Sequence, residues 1–366
     1  VSLIRDEIVQ DETYARSTII TENGKRTGYI YLPEFYTDME RQDGNRCSED
    51  VAQELRKLKT EKVDGVILDL RNNGGGSLYE VVQMVGLFIK GGPVVQVKSR
   101  VGQTSTLSDD DNSVIYEGPL AVMVNEFSAS ASEIFAAAIQ DYKRGIIIGS
   151  TSTYGKATVQ RSIPLGKADY TTGQPEFGAL KLTFQKFYRV SGASTQLKGV
   201  VPDIVLPDAY EYLKLREKDE PSALPWDQIK ESKFTPEAVS PQWQDIISKA
   251  NNRINSSQTF SIIKSNTQWL STNLDKTVYL NIDRYKSQQD TVKKTVKQNE
   301  VLYKLAQPMD IQPLIADKSK FYDNPDKAKG ERYQQWVKGL KTDIYIYETV
   351  HVVNDMAANN VNTAKQ

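Results

Sequence analysis

The 366-residue chain predicts an α/β fold with a mostly parallel sheet, followed by a mainly helical C-terminal region. Two observations carry this. Across residues 1–207 short β-branched runs alternate with stretches of helical apolar periodicity, the rhythm of strand–helix–strand units whose strands pair in parallel through right-handed crossovers. Beyond about Asp208 that alternation fades, and all four tryptophans, Trp226, Trp243, Trp269 and Trp336, lie there.

In chain order, residues 65–70 (GVILDL) form an apolar run between Asp64 and the stretch 72–76 (NNGGG), as a buried strand entering a tight turn would. Residues 78–90 are apolar too densely for a narrow stripe and predict a largely buried helix. Residues 119–124 (PLAVMV) predict the next strand, 130–142 the next helix and 145–149 (GIIIG) the strand after it. In the C-terminal region, 241–255, 258–271, 278–306 and 324–342 predict helices, the third with a solvated face rich in Lys, Gln and Asp. Residues 208–222, ending in the polar run EKDEPS, read as a linker between a core over 11–207 and a helical domain over 223–366. Residues 357–366 read as a frayed polar tail.

Composition excludes several functions. The formal net charge is -1, so no global field would hold nucleic acid or an anionic membrane. Cys47 is the single cysteine: no intrachain disulfide can form, no cysteine cluster can bind zinc, and neither a metal nor a cofactor is expected. No apolar run reaches membrane-span length. The chain begins at Val1 without a methionine or signal peptide, and reads as processed or cut from a longer protein.

Residues 125–133 (NEFSASASE) suggest a serine nucleophile, yet the chain has one histidine, His351, far away near its end. The nearest alternative base in sequence is Lys156, in 154–160 (YGKATVQ), and a Ser/Lys pair can perform acyl transfer. Each residue also has a plain structural reading. Ser130 with Glu133 fits a capping box that merely opens a helix. Against this, the segment directly follows a core strand, so the helix N-terminus would lie at the carboxyl end of a parallel sheet, where open α/β folds hold their sites. The flanking alanines leave room for a peptide, and the Ala131 amide is a natural oxyanion donor. The glycines of 72–76 are needed for a turn with positive φ, or let a substrate backbone approach their amides. Lys156 is either a surface lysine or a buried base; its neighbours Tyr154, Gly155, Ala157, Thr158 and Val159 are uncharged, as a base with a depressed pKa requires. Asp69 and Arg71 read as a local ion pair. Asp141 lies eleven residues past Ser130, about 16 Å along a helix, too far to touch the nucleophile.

Four motifs, 68–76 (LDLRNNGGG), 127–135 (FSASASEIF), 154–160 (YGKATVQ) and 187–200 (FYRVSGASTQLKGV), resemble in order and spacing the bacterial tail-specific, or C-terminal processing, peptidases. The resemblance covers residues 1–207. It implies a serine endopeptidase with a crotonase/ClpP-like core, in which Ser130 is the nucleophile, Lys156 the base and Gln160 the residue orienting it. Gly75 and Gly76 fall on positions required for activity, consistent with an oxyanion site shared with Ala131, and Glu133, Asp141 and Thr153 fall on supporting positions. The helical C-terminal region is similar to the extra domain of the long periplasmic members. The family's PDZ domain is represented only by residues 1–10, which resemble its last strands, and the loop 150–154 is one residue longer than the family's pattern. By resemblance the partners would be unfolded or C-terminally exposed proteins with non-polar tails, and an adaptor lipoprotein, in a bacterial envelope. A crotonase-type acyl-CoA enzyme and an inactive peptide-binding scaffold are the competing readings.

Overall fold

A computed structural model describes residues 13–38, 44–168, 172–236, 242–274 and 277–363. The expected PDZ remnant at 1–10 lies outside the described residues. The chain enters through a hairpin of β1 (Arg16–Glu22) and β2 (Lys25–Tyr31). Its two-residue turn is Asn23-Gly24, both at positive φ, the combination whose twist matches a tight antiparallel hairpin. Next come α1 (Cys47–Thr60), β3 (Gly65–Asp69), α2 (Leu78–Gly86), β4 (Gly92–Ser99), β5 (Thr104–Asp109), β6 (Leu120–Val124), α3 (Ala131–Asp141), β7 (Ile146–Gly149), β8 (Thr158–Pro164), β9 (Ala179–Tyr188) and β10 (Ile204–Val205). The C-terminal region adds α4 (Trp243–Ser256), α5 (Gln258–Asn273), α6 (Ile282–Leu302), β11 (Asp310–Gln312), α7 (Lys318–Phe321), α8 (Lys327–Leu340) and α9 (Ile344–Thr363).

The main sheet has the order β10-β7-β6-β3-β2-β1-β11. Its pairings from β10 to β2 are parallel, and β1 and β11 add antiparallel pairings at one side. The fold is thus the expected α/β core with a mostly parallel sheet and a helical C-terminal region. A second, antiparallel sheet, β5-β4-β9-β8, had no counterpart in the sequence reading.

Strand residues alternate between two apolar layers, as they must when both faces of a sheet are covered. Val66 and Leu68 of β3 and Val122 of β6 join a cluster with Leu55 of α1, Val81 of α2 and Phe135 of α3. Ile67, Ala121, Met123 and Ile148 face the other way, onto Ile246 of α4, Val337 of α8 and Val350 and Val353 of α9. The C-terminal region therefore supplies the second face of the sheet. It also supplies β11, which pairs beside β1 and accepts the Thr18 hydroxyl at the Gln312 carbonyl (2.7 Å).

Two expectations change. The helix expected over 78–90 stops at Gly86, because the chain turns before Gly91 and Gly92, both at positive φ. Residues 357–363 of the segment read as a frayed tail continue α9, with Ala357 buried. The segment 208–222 is anchored, with Arg216 only 3% exposed.

Candidate active site

The site is built where β3 and β6 deliver their carboxyl ends to two neighbouring turns. The turns are stapled together. Asn72 N–H donates to Asn125 Oδ1, and Asn125 Nδ2 returns to Asn72 Oδ1, both at 2.9 Å. The Ala129 amide donates to the Asn73 carbonyl (3.0 Å). Ser132 Oγ donates to the same carbonyl and Ser128 Oγ to the Leu70 carbonyl, each at 2.8 Å.

These bonds sort the three serines. Ser128 and Ser132 are fully buried and committed to backbone carbonyls. Ser130 is half-buried and stands at the N-terminus of α3 with φ 56° and ψ -112°, a sparsely populated conformation for a residue with a side chain. Gly75 lies directly against it: a Cβ there would meet Ser130 Cβ at 2.7 Å and the Ala129 carbonyl at 2.9 Å. Gly76, at φ 139°, lies against the Phe35 backbone, and the Phe35 amide donates to the Gly75 carbonyl (2.8 Å).

The amides around Ser130 differ in their commitments. Gly75 N–H is spent on Asn73 Oδ1 (3.0 Å). Among the described residues, Gly76 N–H and Ala131 N–H meet no protein acceptor. Two unengaged amides beside a helix N-terminus favour an anion.

Glu133 connects the serine to the lysine. Its buried carboxylate accepts from the Ser130 amide (2.9 Å), the Thr153 hydroxyl (2.6 Å), the Gly155 amide (2.7 Å) and the Lys156 amide (2.9 Å). Burial pushes its carboxyl up to about 7, against the pull of those four donors. Thr153 in turn accepts from the Val200 amide (2.7 Å), so the loop 150–157 is pinned on both sides of its bend. Lys156 is half-buried, and burial first, then repulsion from Lys181, pushes its amine below the ordinary lysine range, with Glu217 and Glu133 opposing.

Other expected residues lie as follows. Among the described residues no hydrogen bond joins the Lys156 side chain to Ser130 or to Gln160. Gln160 is exposed, and its Nε2 donates to Thr183 Oγ1 (3.3 Å) across the β8–β9 pairing, beside an irregularity in register. Asp141 is at the far end of α3, paired with Arg189 at 2.7 Å. Asp69 and Arg71 do pair (2.6 Å), and Arg71 reaches further, to Asp343 at the start of α9 (3.0 Å). His351 packs edge-to-face on Tyr347 within α9, 4.5 Å between centroids. Among the described residues no cluster of three or more His, Cys, Asp or Glu side chains is placed to hold a metal ion, and no helix is long and apolar enough to cross a membrane. Sequence reasoning missed Gln196, Arg216 and Glu217, whose contacts with the lysine loop come from distant segments.

Residues 26–206 match peptidase family S41. Residues 210–358 match the C-terminal domain of tail specific protease. The chain is 45% identical over 234 residues to a tail-specific protease of Haemophilus influenzae, an alignment covering 64% of this chain and 32% of that protein. It is 38% identical over 190 residues to a carboxy-terminal-processing protease of Bartonella bacilliformis, covering 50% of this chain and 40% of that protein. It thus spans under half the length of these relatives. Among solved structures, the photosystem II D1 C-terminal processing protease is 28% identical, with a TM-score of 0.43, over 52% of this chain and 48% of that one.

Proposed function

We propose that the protein is a serine endopeptidase of the carboxy-terminal processing type, working through Ser130 and Lys156. Ser130 Oγ attacks the peptide carbonyl while neutral Lys156 takes its proton. The tetrahedral oxyanion lies toward the amides of Gly76 and Ala131, with Gly75 shaping the approach. The lysine returns the proton to the leaving amine, and water then releases the acyl group by the same steps. The observation that carries the reading is Glu133, one buried carboxylate that holds the backbone of the nucleophile and that of the base. Thr153 orients this carboxylate, Asp141 anchors the far end of α3, and Gln160 is assigned to orient the lysine once substrate draws the base toward Ser130. Substrates are proteins with non-polar C-terminal tails, and the location is the bacterial periplasm; both rest on the relatives' kind.

Alkylphosphonylation by a fluorophosphonate tests the site directly. Ser130→Ala, Lys156→Ala and Lys156→Arg should lose both labelling and hydrolysis of an unstructured protein, because arginine stays protonated. His351→Ala should retain both. The wild-type rate should rise with pH as the lysine deprotonates, with its midpoint below the ordinary lysine value of about 10.4. Full labelling of Lys156→Ala, or none of His351→Ala with its fold intact, would remove the dyad.

A further inference from the structure

We infer that residues 211–220, which lead from the core into the helical region, form a brace for the lysine-bearing loop, with Arg216 and Glu217 as positioning residues for Lys156. The inference rests on the Ser130/Lys156 reading above.

The loop 150–157 has no regular secondary structure before β8, so its backbone groups depend on side chains and neighbouring loops for partners. Glu133 holds one side. The 211–220 segment holds the other. Arg216, 3% exposed, donates to the Ser152 carbonyl from Nε (3.4 Å) and Nη2 (3.3 Å), and to Thr151 Oγ1 at 3.2 Å. Glu211 balances its charge at 2.8 Å and also accepts from the Thr151 hydroxyl (2.7 Å). The Glu217 amide donates to the Tyr154 carbonyl (3.0 Å).

A side-chain relay completes the grip. Gln196 Nε2 donates to Glu217 Oε1 (3.0 Å), and Gln196 Oε1 accepts from the Ala157 amide (2.9 Å). Thr195 Oγ1 reaches the Lys156 carbonyl at 3.3 Å. Positions 152, 154 and 157, on both sides of Lys156, are therefore tied to the brace directly or through Gln196. A buried arginine ion pair is weak evidence for stability on its own. A guanidinium fork serving a carbonyl, a hydroxyl and a carboxylate together fixes geometry in a way lysine cannot.

Arg216 also acts on a second buried carboxyl. Glu126, four residues before Ser130, is fully buried; burial and then Asp208 push its carboxyl up to about 7, and Arg216 pulls it down. The brace begins the region matched to the C-terminal domain of tail specific protease, so that domain's first turn of chain touches the catalytic loop. The charged groups that act on the Lys156 amine are Lys181 of β9, Glu133 of α3 and Glu217 of the brace. Glu217 favours the protonated amine. Its neutralisation must make the base easier to form.

The test uses this protein, a fluorophosphonate, and hydrolysis of an unstructured protein across pH. Glu217→Gln keeps an acceptor for Gln196 but loses the charge, and should move the ascending limb to lower pH with the melting temperature unchanged. Arg216→Lys should lower kcat by up to about 100-fold with KM held, as a base displaced by roughly an ångström would. Should that variant fail to fold, the Glu217→Gln limb still decides. An unmoved limb in Glu217→Gln, or wild-type kcat in Arg216→Lys, overturns the brace while a dead Lys156→Ala leaves the dyad standing. Wild-type labelling by Lys156→Ala overturns both.

Discussion

At the scale of single residues, partner availability distinguishes Ser130 from its neighbours. Ser128 and Ser132 are two residues away on either side, yet each is spent on a carbonyl of the glycine turn. The sequence motif alone could mean a helix cap, and part of that cap is present, since Glu133 accepts from the Ser130 amide. The motif could not reveal that the same carboxylate also takes three donors from the lysine loop, because those partners lie 20 to 23 positions away. Glu133→Gln keeps the size but brings an amide NH2 toward a group of donors. We expect a loss of about 1–3 kcal/mol for each donor left buried without a partner. Phosphonylation should also slow at least tenfold. Unchanged labelling together with a lower melting temperature would mean that Glu133 only stabilises.

Among the elements, the glycine turn after β3 gives the sharpest contrast. Gly74 has open space where a Cβ would go, whereas Gly75 and Gly76 are at positive φ and face Ser130 and the Phe35 backbone. Gly74→Ala should be close to silent. Gly75→Ala and Gly76→Ala should each cost on the order of 1–3 kcal/mol in strain and abolish hydrolysis. Equal activity in all three would detach this turn from the chemistry. The strands and helices bracketing the turn were legible because apolar runs and glycines are local signals. The β8–β9 hairpin was not, for its strands are exposed over much of their length and lack an apolar alternation to read. The contacts of the segment read as a linker were not legible for a related reason: EKDEPS is polar, and the buried Arg216 just before it gives no sign of its partners at 151, 152 and 211.

For the whole molecule, the division into a core and a helical region is visible in composition, but their mutual dependence is not. A Cβ on Gly65 of β3 would collide with Val353 of α9, and the Lys25 side chain donates to the Asn354 carbonyl (2.7 Å). Residues 1–207 alone would uncover Tyr29, Ile67, Ala121, Met123 and Ile148, all now buried. Such a fragment should bind a hydrophobic dye and show no cooperative melting transition; a sharp transition and a clean surface would argue that the sheet stands unaided. The placement of α9 also has a consequence for how the protein is made. Synthesis proceeds from the N-terminus, and Ser130 and Lys156 leave the ribosome long before residue 350 does. Until α9 arrives, one side of the sheet lacks part of its cover, and the nascent chain carries Ser130 and Lys156 without a finished frame. The site proposed around Ser130 and Lys156 would thus gain its full frame only after α9 has been made.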